Sequence, residues 1–228
     1  MFDVKDIPLA KYTRNEDIAN CVTHALGIPF CIVALILLVR LEAGRAPAIR
    51  IFAGILYIVS TLIVFTGSAI YHGLKPSRAK QIARIIDHSN IFFMIGGVVT
   101  SFAIADVTTE NRTKSLFVIV AVWVICIIGI LLGFIDFKKF AIPQIFMYVI
   151  TGWITIFNMR SVWHSGETGR RFVMTMLVGG IVITLGTVLY LFGKKHRYFH
   201  AVFHVFVLAG CVVVFVGVYN YNAALLVM

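Results

Sequence analysis

His200 and His204, four residues apart in the run YFHAVFHVFVLAG, stand at the mouth of a long apolar segment. On a helix they fall one turn apart on the same face, the spacing at which two imidazoles can share a metal ion. The residues between them are Ala-Val-Phe and supply no glutamate, so any base must come from elsewhere in the chain. A second i,i+4 pair, Ser68 and His72, closes an earlier apolar segment in GSAIYHGLKP. Asp87 opens the next one in RIIDHSNIFF, and Glu16, Asn20 and His24 recur every four residues in NEDIANCVTHALG. Taken singly, each set has a plain structural account. The histidines would reach lipid headgroups, the serine would bond back to its own helix, and the aspartate would complement a helix dipole. Glu16, Asn20 and His24 would form a polar stripe facing water.

The elements that must position these residues are set by composition. The chain is 60% hydrophobic and 13% charged over 228 residues, with a mean hydropathy of +0.95. That balance lies far from a soluble domain and predicts an all-α membrane protein. Since a span takes about 20 mainly apolar residues, seven are expected: Ile18–Val39, Ile51–Tyr71, Ile85–Ala105, Ser115–Ile135, Phe140–Asn158, Phe172–Phe192 and Phe199–Tyr221. The connections are short and carry no linker or repeat, so residues 1–228 read as a single polytopic bundle with a retained N-terminal segment over 1–17. Loops on the N-terminal side hold twelve Lys and Arg against eight on the other. That bias predicts a cytoplasmic N-terminus and, after seven crossings, a C-terminus outside. The net charge of +10 resides in these short loops, where anionic lipid is the nearer partner, and a nucleic-acid partner is rejected.

With seven crossings, the starts of spans one, three and seven and the end of span two lie on one side of the membrane. Glu16, Asn20, His24, Ser68, His72, Asp87, His200 and His204 can therefore converge on one cytoplasmic-side cavity. Four independent headgroup contacts would not require such agreement. The opposite side offers no comparable set, since Arg160, His164, Glu167 and Arg170 read as a solvated loop. Three imidazoles with an open fourth position suit a catalytic zinc, which assigns His72, His200 and His204 as the ligands. Asp87 either ligates directly or holds the water beside the ion, and Ser68 can donate to that water or to a substrate carbonyl. Glu16, Asn20 and His24 form a supporting polar cluster, His88 is rotated away from Asp87 by about 100°, and His196 reads as solvated.

The remaining features suggest packing. Cys21, Cys31, Cys126 and Cys211 fall inside spans at unrelated spacings and predict neither disulfides nor a metal knuckle. Gly129 and Gly133 form a GxxxG pair, and Gly179, Gly180 and Gly186 are small contact positions. Trp123, Trp153 and Trp163 read as interface or packing residues, and Asn111–Thr113 matches a short glycosylation sequon.

The motifs EDIANCVTH, SAIYH, IIDHSNIF, MYVITGW and YFHAVFHVFVLAG, in this order and at these span ends, resemble the hemolysin III family. That family is the bacterial branch of the adiponectin- and progestin-receptor family, and the resemblance covers the chain from about Glu16 to Gly210. It implies seven helices, a cytoplasmic N-terminus, a bacterial inner membrane, and a zinc ion on the histidines at positions 72, 200 and 204 with Asp87 nearby. A related superfamily of alkaline ceramidases uses a similar Ser, His, Asp and His-x3-His set on a lipid amide. One departure is that Val98-Val99-Thr100-Ser101 stands where bacterial members often carry a proline-containing stretch, so a kink in the third span is not expected.

Two functions follow as expectations. The first is a zinc-dependent hydrolase of lipid amides or esters, with Asp87 and Ser68 assisting and with Lys75, Arg78, Lys80 and Arg84 holding anionic headgroups. The second is a membrane sensor or receptor of lipid or membrane-energy state, in which the zinc is structural. A pore is disfavoured because the polar residues gather at one side, and a retinal pump because the seventh span contains no lysine.

Overall fold

The structure is a computed structural model that describes residues 7–107, 112–193 and 196–227. Among these residues every regular element is helical: α1 (Arg14–Ala25), α2 (Gly27–Glu42), α3 (Ala48–Gly73), α4 (Arg78–Val107), α5 (Arg112–Ile135), α6 (Phe137–Ile154), a 3-10 turn (Thr155–Asn158), α7 (Arg160–His164), α8 (Glu167–Gly193) and α9 (Phe199–Leu225). Six segments are long and apolar enough to cross a membrane: α1 with α2, then α3, α4, α5, α8 and α9. The fifth expected span is occupied by α6 and the 3-10 turn, but Lys138, Lys139 and Gln144 within its 18 residues set it apart from the six.

The first span is one continuous rod with a joint. Pro29, the third residue of α2, has no N–H for the carbonyl four residues back, and the helix is interrupted at Leu26. α4 runs unbroken through Val98–Ser101, in keeping with the absence of proline there. Lipid-facing stripes are visible as apolar side chains left outside. On α5, Phe117, Val120, Val124, Ile127, Leu131 and Ile135 are exposed at helical spacing, as a face bathed in hydrocarbon requires.

The glycine and tryptophan positions pack the helices. A Cβ at Gly179 would meet the Gly210 carbonyl at 3.3 Å, and one at Gly210 would meet that of Gly179 at 3.1 Å, so α8 and α9 approach backbone to backbone. Gly129 receives the Phe92 ring. Trp123 and Trp153 turn inward and donate to Thr100 and Thr184, each at 3.0 Å, whereas Trp163 is partly exposed. All four cysteines are free. The sequon asparagine Asn111, together with Lys194 and Lys195, lies outside the described residues.

The end of the bundle away from the histidines differs from expectation. Arg160, His164, Glu167 and Arg170 are exposed as anticipated, but Glu42, Arg50 and Asn222 form a buried polar cluster across the ends of α2, α3 and α9. Asn222 donates to the Glu42 carboxylate, and the Arg50 guanidinium lies 3.8 Å from it. Glu42 and Arg50 both lie between the first two expected spans, Ile18–Val39 and Ile51–Tyr71. The short α2–α3 connection folds both beneath the end of α9, where each compensates the other's lost hydration.

A candidate metal centre

Local sequence explains how each helix end presents its side chains. Thr13 caps α1 while Glu16 reaches back to the Thr13 N–H at 2.9 Å, a capping box that fixes the start of the helix. Counting from there, Asp17, Asn20 and His24 fall on one inward face and are buried. His72 and Ser68 occupy the buried face at the end of α3. Tyr198 adopts φ of +64°, turning the chain sharply into α9, and its N–H donates to Glu16 at 3.3 Å. Glu16 thus stays off the metal face and ties the first turn of α1 to the entry of α9.

The three assigned histidines converge. His72 Nε2 lies 3.2 Å from His200 Nε2, which lies 3.0 Å from His204 Nε2. Ligand nitrogens about 2.0 Å from a tetrahedral zinc sit roughly 3.3 Å apart, so the spacing suits one ion. Among the described residues these three form the one group of His, Cys, Asp and Glu whose donor atoms all lie within 4.8 Å of one another.

Their outer nitrogens explain why the lone pairs face inward. His72 Nδ1 is 3.2 Å from the Asp17 carboxylate, and His204 Nδ1 is 3.1 Å from the Asn20 carbonyl. Both partners are acceptors, so each Nδ1 carries the proton and each Nε2 is left as a bare lone pair. Three such nitrogens crowded in a buried pocket repel one another unless a cation sits among them. With acceptors behind two of its three rings, this donor set could hold a metal ion. The Thr23 hydroxyl lies 3.2 Å from His204 Nδ1 and bonds the Ala19 carbonyl. Tyr12 stacks on His200, and burial pushes its phenol well above the usual range, so it stays neutral.

Asp17 is the functional residue that the sequence reading passed over. Its signal was present: it lies three residues before Asn20 and seven before His24, on the same face. It also accepts from the Lys80 ammonium at 2.6 Å. Lys80 therefore does not reach for headgroups. It is 3% exposed and also donates to the Leu74 carbonyl at 3.0 Å, because the end of α3 and the carboxylate of α1 together offer it acceptors inside the bundle. Lys75 and Arg78 are exposed, and Arg84 lies over the Phe137 ring at 5.0 Å. If the three histidines hold a metal ion, replacing Asp17 by alanine is expected to weaken its binding by about 10- to 100-fold, the usual cost of losing such a partner, as measured with zinc by competition with a chromophoric chelator. Unchanged affinity would reduce Asp17 to a counter-ion for Lys80.

Asp87 and Ser68, both buried, line an apolar cavity of about 190 Å³ together with His200 and His204. The Asp87 carboxylate is 3.4 Å from His88 Nδ1, which itself lies 3.0 Å from the Arg84 carbonyl. His88 was expected to face elsewhere, yet it is half-buried and shares the cavity wall. His24 also lines the cavity, with its ring 3.6 Å from that of His204 and neither nitrogen bonded. His196 is exposed and rests against Phe199.

A helical membrane bundle with a buried three-histidine group at the polar end of an apolar cavity is the class of protein that fold and site define. Residues 12–215 match the family described as Haemolysin-III related, and the chain belongs to it. It is 32% identical over 210 residues to the Hemolysin-3 homolog of Bacillus subtilis (strain 168), covering 92% of this chain and 96% of that one. It is 29% identical to Hemolysin-3 of Bacillus cereus, over 90% and 91% of the two chains. Its likeness to the Monocyte to macrophage differentiation factor of Homo sapiens is 24% over 92% and 86%. No solved structure matches.

Proposed function

We propose that this chain binds zinc through His72, His200 and His204 and hydrolyses an amide or ester bond of a membrane lipid near the cytoplasmic face. The observation that carries this reading is the meeting of three imidazole Nε2 atoms, two of them on His200 and His204 in the wall of a cavity that Asp87 and Ser68 also line. Three neutral imidazoles favour zinc over the oxygen-seeking magnesium or calcium. Zinc held there lowers the pKa of water to about 7 and polarises a carbonyl.

The chain's own residues supply the rest. Asp87 orients the attacking water and accepts its proton, and the Ser68 hydroxyl donates to the oxygen on which negative charge develops. The apolar walls, including Met94, Val98, Phe102 and Ile145, receive the acyl chain and exclude bulk water. Gly152 and Trp153 of α6 and Gly180 and Thr184 of α8 line the same cavity, while α6 and α8 touch only sparingly. A lipid tail would enter between these two helices.

In this reading α6 completes a seven-helix bundle in the bacterial inner membrane, with the N-terminus cytoplasmic. A reporter active only outside the cytoplasm should work when fused after Met228 and fail when inserted at Ser77; the reverse pattern overturns the orientation. The chemistry is tested by offering zinc-loaded protein a broad panel of amide- and ester-linked lipids in liposomes. Release of fatty acid above the metal-free control is expected. Its absence in folded, zinc-loaded protein would favour a sensor with a structural zinc.

A further inference from the structure

Behind His200, on the side away from the apolar cavity, lies a second chamber of about 320 Å³ lined by Lys11, Tyr12, Asn20, Tyr190, Arg197 and Tyr198, among others. His200 and Tyr190 belong to the walls of both cavities, so the imidazole separates an apolar compartment from a polar one. The two chambers have opposite chemistry on either side of one proposed metal ligand.

Three donors of the second chamber are unmet: Lys11, Arg197 and His200 Nδ1. Lys11 and Arg197 are exposed to it and make no hydrogen bond or ion pair among the described residues, although the charge of Arg197 is felt by Glu16. His200 Nδ1 is buried and has no partner, unlike its counterparts on His72 and His204. With Nε2 turned to the other two histidines, Nδ1 carries the proton and needs an acceptor that the protein does not provide. α9 begins beside the chamber with no side-chain cap of its own, and the acid at its entry is Glu16, on the Tyr198 N–H.

Asn20 is fully buried, with its amide nitrogen 3.4 Å from His72 Nδ1 and its amide oxygen unpaired. The chamber's one carboxylate is already taken, since Glu16 accepts from the Thr13 N–H, the Thr13 hydroxyl and the Tyr198 N–H. A space lined by two unpaired cations and the free His200 Nδ1, with its acid saturated, suits an acceptor-only group.

We infer that this chamber binds a phosphate-type anion, carried as the headgroup of a lipid whose acyl chain lies in the apolar cavity on the other side of His200. This rests on the lipid reading above and narrows the ligand class to anionic lipids, with Lys11 and Arg197 as the residues that select the headgroup. The same chemistry would accept free phosphate, and the two sources are separable.

Zinc-loaded protein in neutral maltoside micelles should be offered equal amounts of phosphatidylglycerol and diacylglycerol, with retained lipid counted by native mass spectrometry. Phosphatidylglycerol should be retained at least about tenfold over diacylglycerol, and this preference should fall to near unity in Lys11→Gln/Arg197→Gln and drop measurably in Lys11→Gln alone. Arg45→Gln, an exposed cation at the other end of the bundle, should leave the preference intact. Inorganic phosphate added at constant ionic strength identifies the source: displacement of the lipid and a raised Tm in lipid-free micelles show that the anion binds by itself, while neither effect shows that the attached lipid is required. Equal retention of the two lipids by the unsubstituted protein, or an unchanged preference in the double variant of normal zinc content, overturns the chamber. Retention is read without turnover. A protein that keeps the preference but hydrolyses nothing refutes the hydrolase alone.

Discussion

Alanine at position 204 is expected to leave the purified protein with less than about a tenth of its zinc, against about one ion per chain before substitution. His204 Nε2 is one of three nitrogens within 3.2 Å links of each other, and its Nδ1 is fixed by the Asn20 carbonyl, so its direction is built into the junction of α1 and α9. Removing it leaves two imidazoles on different helices, a set too small for a tight site. Among the described residues no other three such donors lie within 4.8 Å of one another. Elemental analysis by plasma mass spectrometry decides the matter. His196→Ala should retain the full complement, since that side chain is exposed and apart from the three. Full zinc in the double variant His200→Ala/His204→Ala would show that the histidine pair contacts lipid or water and holds no ion.

The second large effect concerns Asp87. Asn at this position keeps size and one acceptor but removes the charge and the ability to take a proton. If Asp87 serves the attacking water, turnover should fall by about 10²- to 10⁴-fold, the range for a lost general base, while zinc content stays near that of the unsubstituted protein. The separation of the two readouts is what the structure predicts. The three-histidine group closes without Asp87, whose carboxylate lies beside His88 on the wall of the cavity. Loss of zinc in step with activity would make Asp87 a direct ligand. Unaltered turnover would remove it from the chemistry.

These expectations differ in how they were reached. The pairing of His200 with His204 was legible from spacing, since they share a helical face whatever the rest of the chain does. That Ser68, His72 and Asp87 join them followed from counting spans, because each crossing reverses the side on which a helix starts. Asp17 was passed over because an acidic residue in the first turn of a helix has an ordinary reason to be there. Only its proximity to His72 and Lys80 from other helices gives it a second role. Lys80 was misread in the same way: four basic residues in a loop look alike in sequence, and their burial depends on which acceptors a neighbouring helix brings near.

By itself, then, the sequence determined the helical membrane class, the residues able to bind a metal and the end of the bundle where they gather. Hydrophobic length, i,i+4 spacing and the alternation of crossings are properties of one chain read in order. Tertiary structure decided which carboxylate stands behind which imidazole, which lysine is buried, that Glu42 and Arg50 meet under α9, and that His200 divides an apolar cavity from a polar one. Each of these depends on the rotation of a helix about its axis relative to a neighbour far away in sequence. That rotation is fixed by interhelical packing, such as the contact of Gly179 with Gly210, which no local pattern encodes.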